Sequence, residues 1–115
     1  MSGVSIPEIS VEDLAPLLAD PAGDRQLVDV REPQELEIAA LPGFINLPLS
    51  DYGQWSTQID NYLDPTKETL VLCHHGMRSA QMCQWLLSQG FTNVKNIGGG
   101  IHAYAVMVDR SVPVY

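Results

Sequence analysis

The chain has 115 residues and a mass of 12.6 kDa, and 45% of it is hydrophobic, enough to bury the core of one compact domain. A formal net charge of −8 speaks against a nucleic-acid surface, where a basic face is needed, and against an anionic membrane. It contains no apolar run of about 18 residues, the length of a membrane-spanning helix.

The opening segment, Met1-Ser2-Gly3-Val4-Ser5-Ile6-Pro7-Glu8, has neither the basic nor the apolar region of a signal peptide, so a cytoplasmic location is the default expectation. Ser10 followed by Asp13 resembles a capping box opening a first helix, with Leu14, Leu17 and Leu18 on one face. Asp20-Pro21-Ala22-Gly23 should end it. Leu27-Val28-Asp29-Val30 reads as a buried strand, and Glu32-Pro33 starts a short helix with Pro in its first turn. Leu41-Pro42-Gly43 is a turn, followed by a brief extended piece through Phe44-Ile45-Asn46-Leu47-Pro48. A helix is predicted over about Asp51 to Tyr62, where Trp55, Ile59 and Tyr62 fall at helical spacing.

Thr69 to Cys73 is the next strand, and a helical pattern runs from about Ser79 to Gln89, closed by Gly90. Val94 to Ile97 is another strand, and Gly98-Gly99-Gly100 connects it tightly to a last helical turn through Ala103-Tyr104. The tail from Ser111 to Tyr115 reads as an extended segment packed on the surface. Strands alternating with helices predict an α/β fold with a mainly parallel central sheet and helices on both faces. In such sheets ligands bind at the carboxyl ends of the strands.

That is where Cys73 falls, followed by His74-His75-Gly76-Met77-Arg78-Ser79 and a helix. A helix N-terminus carries partial positive charge and unpaired N–H donors, so it stabilises an anion placed at its mouth. A cysteine there becomes a nucleophile, because the thiolate is the reactive form. His74, His75 and Arg78 add a local cationic cluster to an acidic chain, a second attractor for an anionic substrate. Gly76 permits backbone approaches that a Cβ would obstruct. Arg78 suits two-point binding of an oxyanion, with an ion pair to an acid as the alternative.

Five separated segments resemble the rhodanese superfamily in sequence and in order: Asp29-Val30-Arg31-Glu32-Pro33, Leu41 to Pro48, Cys73 to Ser79, Gly90 to Val94, and Gly98-Gly99-Gly100-Ile101. The resemblance runs from about Ile9 to the C-terminus and implies one rhodanese-like three-layer domain over residues 9–115. It implies a sulfurtransferase whose cysteine takes a sulfane sulfur from an anionic donor such as thiosulfate, forms a persulfide, and passes the sulfur to cyanide or a thiol, including a protein thiol. Cys73 is then the catalytic nucleophile, and His74, His75, Gly76, Met77, Arg78 and Ser79 line the substrate. No metal or organic cofactor is required.

The six-residue loop from Cys73 to Arg78 matches the sulfurtransferase length. Related phosphatases on this fold use a loop one residue longer, as a phosphate needs a wider ring of donors than one sulfur atom. Two departures stand out: His74 occupies a position where many thiosulfate-preferring members carry Arg, and Ala39-Ala40-Leu41 replaces a frequent Gly-His-Ile. The first bears on the preferred donor. The rival functions are a non-turnover persulfide carrier or protein-interaction module serving one partner, and a phosphatase or arsenate reductase.

Other residues read as structural. Cys83 lies with Leu86 and Leu87 on the helix, and two cysteines ten residues apart make no disulfide framework. Trp55 and Tyr62 fit a core stripe. Asp29 and Arg31 fit either a pocket mouth or a buried ion pair. Gly98-Gly99-Gly100 lacks phosphate-loop spacing and reads as a site of close chain approach beneath the active-site strand. A zinc set of Cys73, His75, Cys83 and His102 matches no common spacing. No exposed apolar segment selects between a monomer and a weak homodimer.

Overall fold

The computed structural model describes residues 6–20 and 23–115. Met1 to Ser5 of the opening segment, and Pro21 and Ala22 of the expected helix stop, lie outside the described residues. Strands β1 (Glu8–Ile9), β2 (Arg25–Asp29), β3 (Ile45–Asn46), β4 (Glu68–Leu72) and β5 (Val94–Ile97) form one sheet in the order β1-β5-β4-β2-β3. Every pairing is parallel. A parallel sheet needs crossovers, and the helices supply them on both faces.

Alternation along β4 sorts its side chains between two cores. Val71 and Cys73 join the core under α5 (Met77–Ser88), with Trp55, Met82, Cys83 and Leu86. Leu70 and Leu72 join the core under α1 (Val11–Leu18) and α6 (Gly100–Met107), with Leu14, Ile101 and Tyr104. Leu70, Val71 and Leu72 are each fully buried, as expected of a central strand covered on both sides. Cys73 follows directly at its carboxyl end.

The Ser10 cap is present, its Oγ accepting the Asp13 N–H at 3.1 Å. The helix α2 (Pro33–Ile38) begins at proline as anticipated. Helix α5 ends in a Schellman arrangement: Gly90 adopts φ 97° while Phe91 N–H reaches Leu86 O at 3.1 Å and Gly90 N–H reaches Leu87 O at 3.2 Å.

The segment after β3 differs from expectation. In place of one helix over Asp51 to Tyr62, it runs as a 3-10 turn at Leu49–Asp51, α3 (Tyr52–Trp55), a 3-10 turn at Ser56–Gln58 and α4 (Ile59–Tyr62). A 3-10 turn holds fewer residues per turn than an α-helix, so the inward face is re-phased past Gln58. Trp55 and Ile59 stay buried, Leu63 takes the next inward place, and Tyr62 points out at 49% exposure. The reading of Tyr62 as core is therefore corrected. Two other helices are longer than read: α5 starts at Met77 rather than near Ser79, and α6 extends to Met107.

Candidate active site

The site is built where β4 ends. Cys73 is 1% exposed, and its Sγ receives the Gly76 N–H at 3.0 Å and lies 3.2 Å from Ser79 Oγ. Gly76 adopts φ 100°, a left-handed conformation that turns its amide back toward the sulfur and starts α5 one residue later. An amide N–H aimed at the sulfur, at the mouth of a 12-residue helix, suits an anionic sulfur species.

Asn96 of β5 supports this loop from beneath. It is 2% exposed, its Nδ2 donates to Gly76 O at 3.0 Å, and its Oδ1 lies 2.5 Å from Ser79 Oγ. The glycine run holds the loop from the other side. Ile101 N–H donates to Cys73 O at 3.0 Å and His102 N–H to His74 O at 3.1 Å. Gly100 has φ 63°, and a Cβ there would collide with the Cys73 and His74 carbonyls. The close approach inferred for this run is present, and glycine is what permits it.

Arg78 lies in the first turn of α5 and is engaged by an acid. Its Nη1 and Nη2 meet Glu35 Oε1 and Oε2 at 2.7 and 3.0 Å. These bonds to Glu35 raise the guanidinium's pKa and, with the Tyr115 hydroxyl, hold the Glu35 carboxyl down at about 2, from 4.5. Glu35 also receives the Tyr115 hydroxyl at 2.7 Å and the Glu32 N–H at 3.1 Å. Asp29 and Arg31 form the buried pair: Arg31 Nη2 meets Asp29 Oδ2 at 2.7 Å, and the two side chains are 1% exposed or less. Burial works against the Arg31 charge, and the Asp29 and Tyr115 hydrogen bonds outweigh it.

The tail is more than surface packing. Tyr115 stacks on His74 with ring centroids 3.8 Å apart and planes 1° apart, and its hydroxyl accepts from Arg31 at 2.9 Å. Burial pushes the phenol pKa up, so the hydroxyl remains a donor to Glu35. Of the other loop residues, His74 is half-buried, His75 and Met77 are exposed, and Ser79 is buried. Burial, followed by the neighbouring His75 charge, lowers the His74 pKa, so the cationic cluster expected from sequence is weaker than its residue types suggest. Cys83 is fully buried and its thiol is pushed up to about 12, chiefly by desolvation, which fits a core role.

Glu35, Asn96, His102 and Tyr115 are the members of this site that reading the sequence did not place there. Apart from Glu32 on Glu35, the hydrogen-bond partners that hold them here lie 17 to 84 residues away in sequence, as with Asn96 to Ser79 and Tyr115 to Arg31. The only local signal was that Glu35 follows Glu32-Pro33 at capping distance. The zinc set of Cys73, His75, Cys83 and His102, which the sequence spacing disfavoured, is not assembled: the three residues brought together are His74, His75 and His102, without either cysteine.

A parallel α/β sheet with a cysteine loop leading from its central strand into a helix defines the class of protein, and the comparisons place it. The family model described as Rhodanese-like domain matches residues 10–106, and the chain belongs to that family. It is 50% identical over 112 residues to the Rhodanese-like/PpiC domain-containing protein 12, chloroplastic, of Arabidopsis thaliana, covering 96% of this chain and 38% of that protein. The chain thus spans well under half the length of that relative. It is 35% identical over 98 residues to a protein of Allochromatium vinosum named sulfurtransferase, covering 85% of this chain and 87% of the relative. Among solved structures it is similar to a rhodanese-related protein from Thermoplasma volcanium, with a TM-score of 0.72 at 28% identity, covering 95% and 97% of the two chains.

Proposed function

We propose that this chain is a rhodanese-type sulfurtransferase in which Cys73 is the nucleophile and sulfur carrier. The Cys73 sulfur attacks the sulfane sulfur of a donor such as thiosulfate. The donor's S–S bond breaks, and sulfite leaves with the bonding electrons. A thiolate or cyanide then attacks the terminal sulfur of the persulfide, and Cys73 leaves as thiolate. The observation that carries this reading is the Gly76 N–H donated to Cys73 Sγ at the mouth of α5. The first-turn amides of that helix have no intrahelical partner, and the terminal sulfur meets them as it extends past Sγ. His74, His75, Gly76, Met77, Arg78 and Ser79 form the surrounding wall. The family membership and a relative named sulfurtransferase support sulfur donors and acceptors as the substrate class.

The charge pattern favours a second reading, a persulfide carrier serving a protein partner. Arg78 and Arg31 are both engaged by carboxylates, which leaves a small dianion little unshared positive charge at the mouth. Such a carrier takes up sulfur readily from a protein or polysulfide donor and turns over thiosulfate with cyanide poorly.

Intact mass spectrometry of reduced protein, before and after thiosulfate or a persulfide donor, tests both. The expected result is a gain of one sulfur atom that a mild thiol reverses and that Cys73→Ser lacks. Loading from the persulfide donor alone selects the carrier reading. Loading of Cys73→Ser as well, or no adduct from either donor, sinks both readings, and Cys73-dependent hydrolysis of an aryl phosphate would then point to phosphatase chemistry.

A further inference from the structure

The chain contains three histidines, and the fold brings all of them to one place. His74 and His75 come from the loop after β4 and His102 from the first turn of α6, 27 residues beyond His75. One ring nitrogen of each lies within 4.8 Å of the others, and the ring centroids of His74–His75 and His75–His102 are 4.0 and 4.9 Å apart. His74 Nε2 and His102 Nδ1 are buried and have no hydrogen-bond partner. Buried ring nitrogens are ordinarily satisfied, so two unsatisfied ones within one histidine cluster call for a ligand.

We propose that His74, His75 and His102 form a binding site for a divalent first-row transition metal of the zinc, copper and nickel class, next to the cysteine loop.

The donor set is imidazole only, which suits those metals and not magnesium or calcium. The support behind it is also of the right kind. The Tyr115 ring stacks on the His74 ring at 3.8 Å and fixes its plane. The His102 N–H to His74 O bond at 3.1 Å locks the two backbones on which the inner rings are carried. Tetrahedral zinc at about 2.0–2.1 Å from each nitrogen needs them about 3.3 Å apart. The nitrogens already lie within 4.8 Å of one another, and rotation of the rings, freest at the exposed His75, would close that gap on a bound metal. Three protein ligands leave a fourth position for water or a soluble anion. The site stands whether or not Cys73 transfers sulfur.

The test is zinc titration of the metal-stripped full chain against a chromophoric chelator, with His75→Gln, His102→Gln and Cys73→Ser alongside. The expected result is one zinc per chain, an affinity lowered at least about tenfold in each histidine variant, the scale set even by an outer-shell partner, and no change in Cys73→Ser. Cobalt substitution then gives a visible spectrum without a thiolate charge-transfer band. His75→Gln alters an exposed side chain, so its result holds even if His102→Gln disturbs folding. Unchanged affinity in His75→Gln, an equal loss in Cys73→Ser, or no stoichiometric zinc overturns the proposal.

Discussion

Glu35 shows how much one carboxylate organises. It receives Arg78 through both oxygens, together with the Tyr115 hydroxyl and the Glu32 N–H, and its side chain is 19% exposed. Its pKa falls to about 2 in the folded chain from 4.5, with the Arg78 hydrogen bonds the largest cause. The unfolded chain therefore takes up a proton near 4.5 while the folded chain resists until about 2. The stabilisation is complete above the unfolded value and is lost as pH falls through that window. Arg78 and the protonated Tyr115 bond this carboxylate and keep their charge states across that window. Urea unfolding at a series of pH values should show wild-type stability dropping between about 4.5 and 2, with a shallower drop in Glu35→Gln. Parallel curves would mean that the pair contributes nothing to stability. None of this was readable at Glu35 itself, because Arg78 is 43 residues away and Tyr115 is 80.

At the scale of elements, the broken segment from Leu49 to Tyr62 separates spacing from packing. Trp55 is 3% exposed, donates its Nε1–H to Pro48 O at 2.7 Å, and meets Tyr52 and Trp85 edge-on with centroids 5.3 and 5.6 Å away. Tyr62, seven positions on and on the same ideal helical stripe, is turned out by the 3-10 turn between them. Trp55→Ala should thus cost about 3–5 kcal/mol, as large core truncations do, and Tyr62→Ala should stay within about 0.5 kcal/mol of wild type. Denaturant midpoints for the two variants check this. Equal losses would restore the single-helix reading. Periodicity announced a helical segment but not its phase, since Leu63 competes with Tyr62 for the same inward place and packing decides between them.

For the whole molecule the net charge of −8 sets the field that an anionic donor crosses. The arginines of the site do not offset it freely, because Arg78 is bound to Glu35 and Arg31 to Asp29. Approach of thiosulfate is then opposed at long range, and salt relieves that opposition as the screening length shrinks from about 30 Å at 0.01 M to about 8 Å at 0.15 M. The second-order loading rate, followed by mass spectrometry, should rise over that range. A rate that falls with added salt would show that the loop's own positive charge dominates.

The sequence by itself determined the α/β class, the central strand ending in Cys73, the helix that follows, and the glycine run that lets α6 approach the loop. Each is written in neighbouring residues through period, capping and turn chemistry. Tertiary structure alone decided that Arg78 meets Glu35, that Asn96 carries the loop, that Tyr115 covers His74, and that three histidines converge. The physical reason is the same in each case. A side chain's charge, hydrogen bonding and burial depend on partners that only a parallel sheet with its crossovers brings within reach, and no local pattern encodes a neighbour dozens of residues away.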